Sequence, residues 1–230
     1  QIVNDKCHSV GSKFKGKISY STDFSEIATL SFHAVKHITT GEGGAILTNN
    51  KKIYEKCKLL RSHGIEKSNK SYMWKYEINE IGYNYRLPNL NAALGCAQLE
   101  QLPDKLIAKR SLFERYEAAF FSVEGVNLMA EPKKCRSNYW LQTLIIDNDQ
   151  LDQRDSILQV TNKGGVATRP VWRLMHNLLP FSECPRMDLS CSEELSQKLI
   201  NIPRSFNFFY LENVKVFSTG EIQSTLTNYD

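Results

Sequence analysis

Apolar residues in the first part of the chain come in short runs closed by glycine or by polar pairs. "QIVND" (residues 1–5) reads as a strand ending at Asp5, "IATLSF" (27–32) as a buried strand, and "GGAILTN" (43–49) as another. The segment "GSKFKGKISYSTDFSE" (11–26) is polar and glycine-marked, which predicts a loop or a small hairpin. The period then changes. In "NKKIYEKCKLLRSHG" (50–64), Ile53, Cys57 and Leu60 share a helical face and Gly64 is a natural C-terminal stop. Residues 65–80 show no period and are expected to form a loop. Pro88 opens a second helix with the stripe Leu90, Leu94 and Ala97, and Pro103 is expected to break it. "DKLIAKRSLFERYEAAFFSV" (104–123) reads as a longer amphipathic helix carrying Leu106, Leu112, Phe113, Tyr116 and Phe120.

Beyond Gly125 a polar stretch runs to residue 137. "YWLQTLII" (139–146) then reads as a strand, and "QLDQRDSILQVTNKGG" (150–165) as a helix closed by two glycines. "VATRPVW" (166–172) reads as a short strand stopped by Pro170. In "SCSEELSQKLI", Ser190 and Glu193 have capping-box spacing, with Leu195 and Leu199 one turn apart. "NIP" reads as a final strand. The expected organisation is a domain over 1–103, a connecting helix over 104–125, and a small α/β domain over 126–230. Trp140 and Trp172 are expected to pack in that small domain.

Composition narrows the class. The 230 residues are 41% hydrophobic and 23% charged, with a net charge of +4, as in an ordinary globular protein. Basic and acidic residues are interleaved, which leaves no electrostatic footprint for nucleic acid. No apolar run reaches the ~20 residues of a membrane helix, and the first residues do not read as a secretory signal. The six cysteines are scattered without a CxxC pair, which argues against a zinc site and fits reduced thiols in a cytoplasm.

The chemistry concentrates in "SFHAVKHITTGEGGAILTN" (31–49). Lys36 lies just past a strand end, among Ser31, His33, Thr39 and Thr40, and "GEGG" lets the backbone turn sharply. A lysine there is either a solvated surface charge, the commoner case by far, or an amine held for covalent chemistry. His63 reads as a structural residue at a helix end.

This stretch resembles the cofactor-lysine segment of the DegT/StrS family of sugar aminotransferases. The match includes the serine five positions before the lysine, the TT pair and the EGGA run. It continues in "LLRSHG", in "EIGYNYRLPNLNAALGCAQLEQL" and in "ATRPVWRLMHNLLPF…CPRMDLSC…LINIP". The later segments look closest to the branch acting on UDP-linked N-acetylhexosamines in legionaminic acid and bacillosamine pathways. The resemblance implies an α/β, fold-type-I transferase that uses pyridoxal 5′-phosphate. Its expected activity moves an amino group, from glutamate, to a keto group of a nucleotide-linked deoxysugar such as a UDP-4-keto-6-deoxy-N-acetylhexosamine. A cytoplasmic homodimer with a shared active site is implied. Residue by residue, Lys36 resembles the Schiff-base lysine and proton shuttle, and Asp5 the carboxylate paired with the pyridinium nitrogen. His8 takes the place of a polar residue near the ring's phenolic oxygen, and Ser31 that of the phosphate-contacting hydroxyl. Asn84 resembles an asparagine that reaches the phosphate in the neighbouring subunit. Arg86, Arg169 and His176 fall in segments that the family uses near the sugar. The family's dehydratase branch carries histidine at the lysine position, so Lys36 argues against that branch.

The chain also departs from the family. Family members carry a long portion before "ND", so these residues read as the later part of the large domain plus the small domain. Lys6 and Cys7 are bulkier than the family's usual small pair, and the aromatic cluster Phe206, Phe208, Phe209 and Tyr210 has no counterpart. The alternative expectation is a truncated, non-catalytic remnant or dimer partner of such an enzyme.

Overall fold

The computed structural model describes residues 2–21, 23–66, 77–78 and 80–204. The aromatic cluster at 206–210 and most of the expected loop at 65–80 lie outside them. The chain divides into two compact units, residues 1–106 with 132–138, and residues 107–131 with 139–230.

Unit 1 opens with β1 (Val3–Asp5) and a small hairpin of β2 (Lys13–Phe14) and β3 (Lys17–Ile18). There follow β4 (Ile27–Ser31), β5 (Gly44–Leu47) and helix α1 (Lys51–Leu60). β1 pairs with β4 in parallel, Asp5 opposite Thr29, and β4 pairs with β5 antiparallel. Ala28 and Ile38 are fully enclosed. The Asn50 side chain caps α1 by accepting from the N–H groups of Lys52 and Ile53, which satisfies donors that a helix start leaves open. At the other end, Gly64 takes φ +69° and a Cβ there would lie 1.9 Å from the Glu80 carbonyl oxygen, so only glycine fits. The expected loop after it contains two paired two-residue strands, β6 (Ile65–Glu66) and β7 (Glu77–Ile78).

Helix α2 (Asn89–Glu100) follows Pro88, and α3 runs from Leu102 to Phe120. The expected break at Pro103 falls two residues earlier, at Gln101, and Pro103 sits in the first turn of α3. A proline there loses no hydrogen bond, so it begins the second helix rather than ending the first. The division between the units falls inside α3.

Within the stretch read as polar, two strands form: β8 (Val126–Leu128) and β9 (Cys135–Arg136). β9 belongs to unit 1, where it joins β2 with Phe14 opposite Cys135. The buried Asn138 fastens this region, donating to the carbonyls of His8 (2.8 Å) and Val10 (2.9 Å).

Unit 2 is built on β10 (Gln142–Ile146), followed by a 3₁₀ turn and helix α4 (Arg154–Lys163). β11 (Arg169–Pro170), α5 (Ser190–Lys198) and β12 (Leu199–Ile202) complete it. The sheet order is β11-β12-β10-β8, antiparallel throughout. The edge strand β11 ends at Pro170, the stop expected from the sequence. Leu112 and Tyr116 of α3 pack on Leu144, Ile146, Ile200 and Ile202. The capping box expected at Ser190 is replaced: Asp188 accepts from the N–H and hydroxyl of Ser190, and Glu193 turns to His176. Trp140 is buried, whereas Trp172 is 53% exposed.

Candidate functional site

The candidate site in unit 1 is placed by the parallel pairing of β1 and β4. Asp5 ends β1, and its Oδ1 accepts from the Cys7 N–H at 3.0 Å and the Thr29 hydroxyl at 3.4 Å. These donors, with the Cys7 thiol foremost, hold the Asp5 carboxyl below its ordinary value, because they stabilise the charged form. The Cys7 Sγ lies 3.9 Å from the Thr29 Oγ1. Burial first, and Asp5 second, push that thiol up, while the positive charge of Lys36 pulls it down. Burial lowers the His8 imidazole, the Lys36 charge adds to the effect, and Asp5 opposes it. The charges of Asp5 and Lys36 therefore both act on the segment Cys7–His8.

Lys36 is carried by a loop pinned at its root. The Phe32 N–H donates to the Gly43 carbonyl (2.8 Å) and the Thr40 N–H to the Phe32 carbonyl (2.9 Å). Ile38 and Thr40 are buried, and Asn91 of α2 donates to the Thr40 carbonyl at 2.6 Å. Gly43, at φ +152°, is tight as well: a Cβ there would meet the Thr40 Oγ1 at 2.6 Å. A short backbone bond from the Lys36 N–H to the His33 carbonyl (3.0 Å) turns the chain at the lysine itself. Ser31 ends β4, its Oγ accepting from the His33 N–H at 3.3 Å. This hydrogen-bonded collar carries Lys36, a half-buried residue.

Asp5 and Lys36 both lie within electrostatic range of His8, and Ser31 ends the strand that leads to the lysine loop. Asn84 and Arg86 are exposed elsewhere in unit 1. Asn84 forms a bridge with Ser62, and its neighbours Tyr83 and Tyr85 stack at 5.0 Å. The Tyr83 N–H donates to the Leu60 carbonyl, and the His63 N–H to that of Tyr83, so His63 holds a helix end in place. Arg169 and His176 belong to unit 2. Arg169 lies over the Trp172 ring at 4.1 Å, and the His176 Nε2 is 3.0 Å from the Glu193 Oε1.

Sequence reasoning missed Thr29 and the part played by Cys7. The signal for Thr29 was the alternation of β4, which puts it on the same face as Ser31.

The donor set fits pyridoxal 5′-phosphate: a primary amine on a pinned loop, a carboxylate held in its charged form by fixed donors, and an imidazole within electrostatic reach of both. Among the described residues, no group of three or more metal-ligating side chains gathers, and no helix is long and apolar enough to cross a membrane.

Comparison with known proteins agrees with this chemistry. The family model described as the DegT/DnrJ/EryC1/StrS aminotransferase family matches residues 1–216. A UDP-4-amino-4,6-dideoxy-N-acetyl-beta-L-altrosamine transaminase of Campylobacter jejuni is 42% identical over 93% of the chain and 59% of its own length. A GDP-perosamine synthase of Escherichia coli O157:H7 is 33% identical over 88% of the chain and 52% of its own length. Among solved structures, Helicobacter pylori PseC, an aminotransferase involved in the biosynthesis of pseudoaminic acid, superposes with a TM-score of 0.84 at 25% identity. That match covers 99% of the chain and 60% of PseC. The chain thus spans little more than half the length of the relatives it matches.

Proposed function

The chain belongs to the DegT/DnrJ/EryC1/StrS aminotransferase family, and from that premise we propose that it carries the lysine and ring-carboxylate part of a sugar aminotransferase. The fold is that of the fold-type-I pyridoxal-phosphate-dependent transferases. The reaction moves an amino group, from glutamate, to the keto group of a UDP-4-keto-6-deoxy-N-acetylhexosamine. The substrate class rests on the altrosamine transaminase likeness. The setting is the cytoplasm, in keeping with six free cysteines. No observation favours the alternative of a non-catalytic remnant.

The observation that carries this reading is the parallel register that sets Asp5 opposite Thr29, with fixed donors on its carboxylate, on the strand pair that leads into the pinned Lys36 loop. Pyridoxal 5′-phosphate, when bound, supplies a carbonyl for an amine and a ring that takes up the electron pair left when a neighbouring carbon loses its proton. The chain's own residues do the rest. The Lys36 amine holds the cofactor and later carries a proton at Nζ between two carbons. Asp5, whose carboxyl Cys7 and Thr29 favour in its charged form, would pair with the protonated ring nitrogen. His8 would face the ring's phenolic oxygen, and Ser31 would contact the phosphate. By the same resemblance Asn84 would reach the phosphate bound by a second copy of the chain in a homodimer. Arg86 in unit 1, and separately Arg169 and His176 in unit 2, lie in segments that the family uses near the sugar.

Titration of the full chain with pyridoxal 5′-phosphate is expected to give a visible absorbance band, and borohydride then fixes the cofactor to the Lys36 peptide, read by mass. Full loading with Lys36 unmodified overturns the reading. Conversion of a UDP-4-keto-6-deoxy-N-acetylhexosamine with glutamate tests the substrate.

A further inference from the structure

The loop that carries Lys36 is organised around a residue that the cofactor chemistry does not use. Each polar atom of His33 has a partner in the loop or at its root. Its N–H donates to the Ser31 Oγ at 3.3 Å, and its carbonyl accepts from the Lys36 N–H at 3.0 Å. Its Nδ1 accepts from the Val35 N–H at 3.4 Å, and its Nε2 lies 3.5 Å from the Glu42 Oε1. Through Nδ1 the ring copies the turn that Asn and Asp side chains form with the N–H two residues on.

The two ring contacts select one form of the imidazole. A nitrogen that accepts from an N–H carries no hydrogen, so the ring hydrogen sits on Nε2, which faces the carboxylate. The partner of one ring nitrogen thereby fixes the state of the other. Glu42 is held by its own backbone: its carbonyl accepts from the Thr40 Oγ1 at 2.8 Å, and the next carbonyl, that of Gly43, accepts from the Phe32 N–H. The Glu42 side chain is 81% exposed, so the pair adds little attraction. What it supplies is a direction for the Nε2 hydrogen.

The backbone bonds from Phe32 to Thr40 and Gly43 close the root of the loop. The ring of His33 acts further along, at the turn that ends on Lys36. A turn fixed at the Val35 N–H and closed at the Lys36 N–H sets the direction in which the lysine side chain leaves the backbone, the kind of support that a reacting group needs.

We propose that His33 is a positioning residue for Lys36, and that Glu42 selects the tautomer in which it works. This deepens the proposed function, on which it rests for Lys36 as the reacting amine.

The first arm of the test uses no cofactor. The full chain is methylated with formaldehyde and cyanoborohydride, and the Lys36 peptide is read by mass against the Lys51 peptide of the same sample. His33→Ala is expected to raise Lys36 methylation about fivefold, the usual worth of one hydrogen bond, with the thermal melt unchanged. His33→Asn keeps an acceptor for the Val35 N–H and is expected to stay within about twofold of the parent. His33→Gln keeps a donor toward Glu42 but not the short acceptor, and is expected to behave as His33→Ala. Glu42→Ala is expected to fall between His33→Ala and the parent, because the ring then spends part of its time in the other tautomer. In the second arm, affinity for pyridoxal 5′-phosphate, read from the visible band, is expected to fall in the order in which methylation rises. Unchanged methylation in His33→Ala overturns the proposal. So does His33→Asn matching His33→Ala with an intact melt, since Nδ1 is then not the working atom. The two readings fail separately. A parent without a Lys36 adduct, in which methylation still follows the variants, rejects the cofactor reading alone. An adduct formed equally by all variants, with methylation unchanged, rejects this one alone.

Discussion

The sheet of unit 2 and the sheet of unit 1 are held in different ways. In unit 2, β12 is buried along its whole length and β10 alternates buried with half-buried positions. Both close on Leu112 and Tyr116 of α3. In unit 1, β1 and β5 alternate exposed with half-buried positions, and Val3 and Ile46 are 61% and 53% exposed. What is tight there is the backbone: the collar at Phe32–Gly43, the Gly64–Glu80 contact, and the donors on Asp5. The first arrangement secures a core. The second secures the direction of a few polar side chains, which is what a chemical site needs.

Removing the amine is the largest way to sharpen this contrast. Lys36→Ala is expected to cut amino transfer by roughly 10²–10⁴-fold, the usual contribution of a positioned proton carrier. The thermal melt is expected to stay within about 0.5 kcal/mol of the parent, because a half-buried loop lysine carries no core packing. A melt that falls together with activity breaks the separation between chemistry and packing.

Removing core volume from unit 2 does the reverse. Ile200 is fully buried in the cluster with Leu144, Ile146 and Tyr116. Ile200→Ala is expected to cost about 2–5 kcal/mol in urea unfolding, from lost transfer energy and an unfilled cavity. Borohydride labelling of Lys36 is expected to survive wherever the variant remains folded. A cost below about 1 kcal/mol shows that the site collapses and that the unit 2 core is less tight than its burial suggests.

The same contrast explains what the sequence could reveal. β4, β5, β10, α1 and α2 announce themselves by an apolar run or a period, and β5, α1 and α2 also meet a glycine or proline. β8 and β9 do not. β8 is three residues long, too short to show a period, and β9 becomes a strand only because Phe14 and Lys13 come to lie beside Cys135 and Arg136. The cap of α5 misled for a related reason: Asp188, two residues before the expected box opens, takes the Ser190 N–H. At the site, Lys36 and Asp5 were legible through their resemblance to a known segment, but Thr29 was not. Its role depends on the register that sets it opposite Asp5, and register is a tertiary fact.

A titration makes the packing of unit 2 measurable. Burial and the Arg204 charge bring the Lys109 ammonium down from 10.5 to about 8. The folded state therefore releases this proton more readily than the unfolded chain. The cost of a buried charge is fully present below pH 8 and disappears as pH rises toward 10.5. Unit 2 is expected to gain about 2 kcal/mol from this group between pH 7 and pH 9.5. Lys109→Met is expected to abolish that gain while the other titrating groups continue unchanged. Parallel pH profiles for parent and variant would show that Lys109 keeps its charge where it lies.

The smallest expected effect bears hardest on unit 1. Ile46 lies on β5 opposite Thr29 and is 53% exposed. In a sheet that owes its order to backbone contacts, Ile46→Thr exchanges one β-branched residue for another and is expected to change stability by no more than about 0.5 kcal/mol. The Lys36 adduct forms as before. A cost near that of Ile200→Ala means that the Ile46 face is covered in the working protein. It also means that the open look of this sheet belongs to the chain taken alone. A second copy then accounts for the cover if the cost depends on protein concentration, because binding adds to stability by mass action. A cost independent of concentration places the cover within one chain.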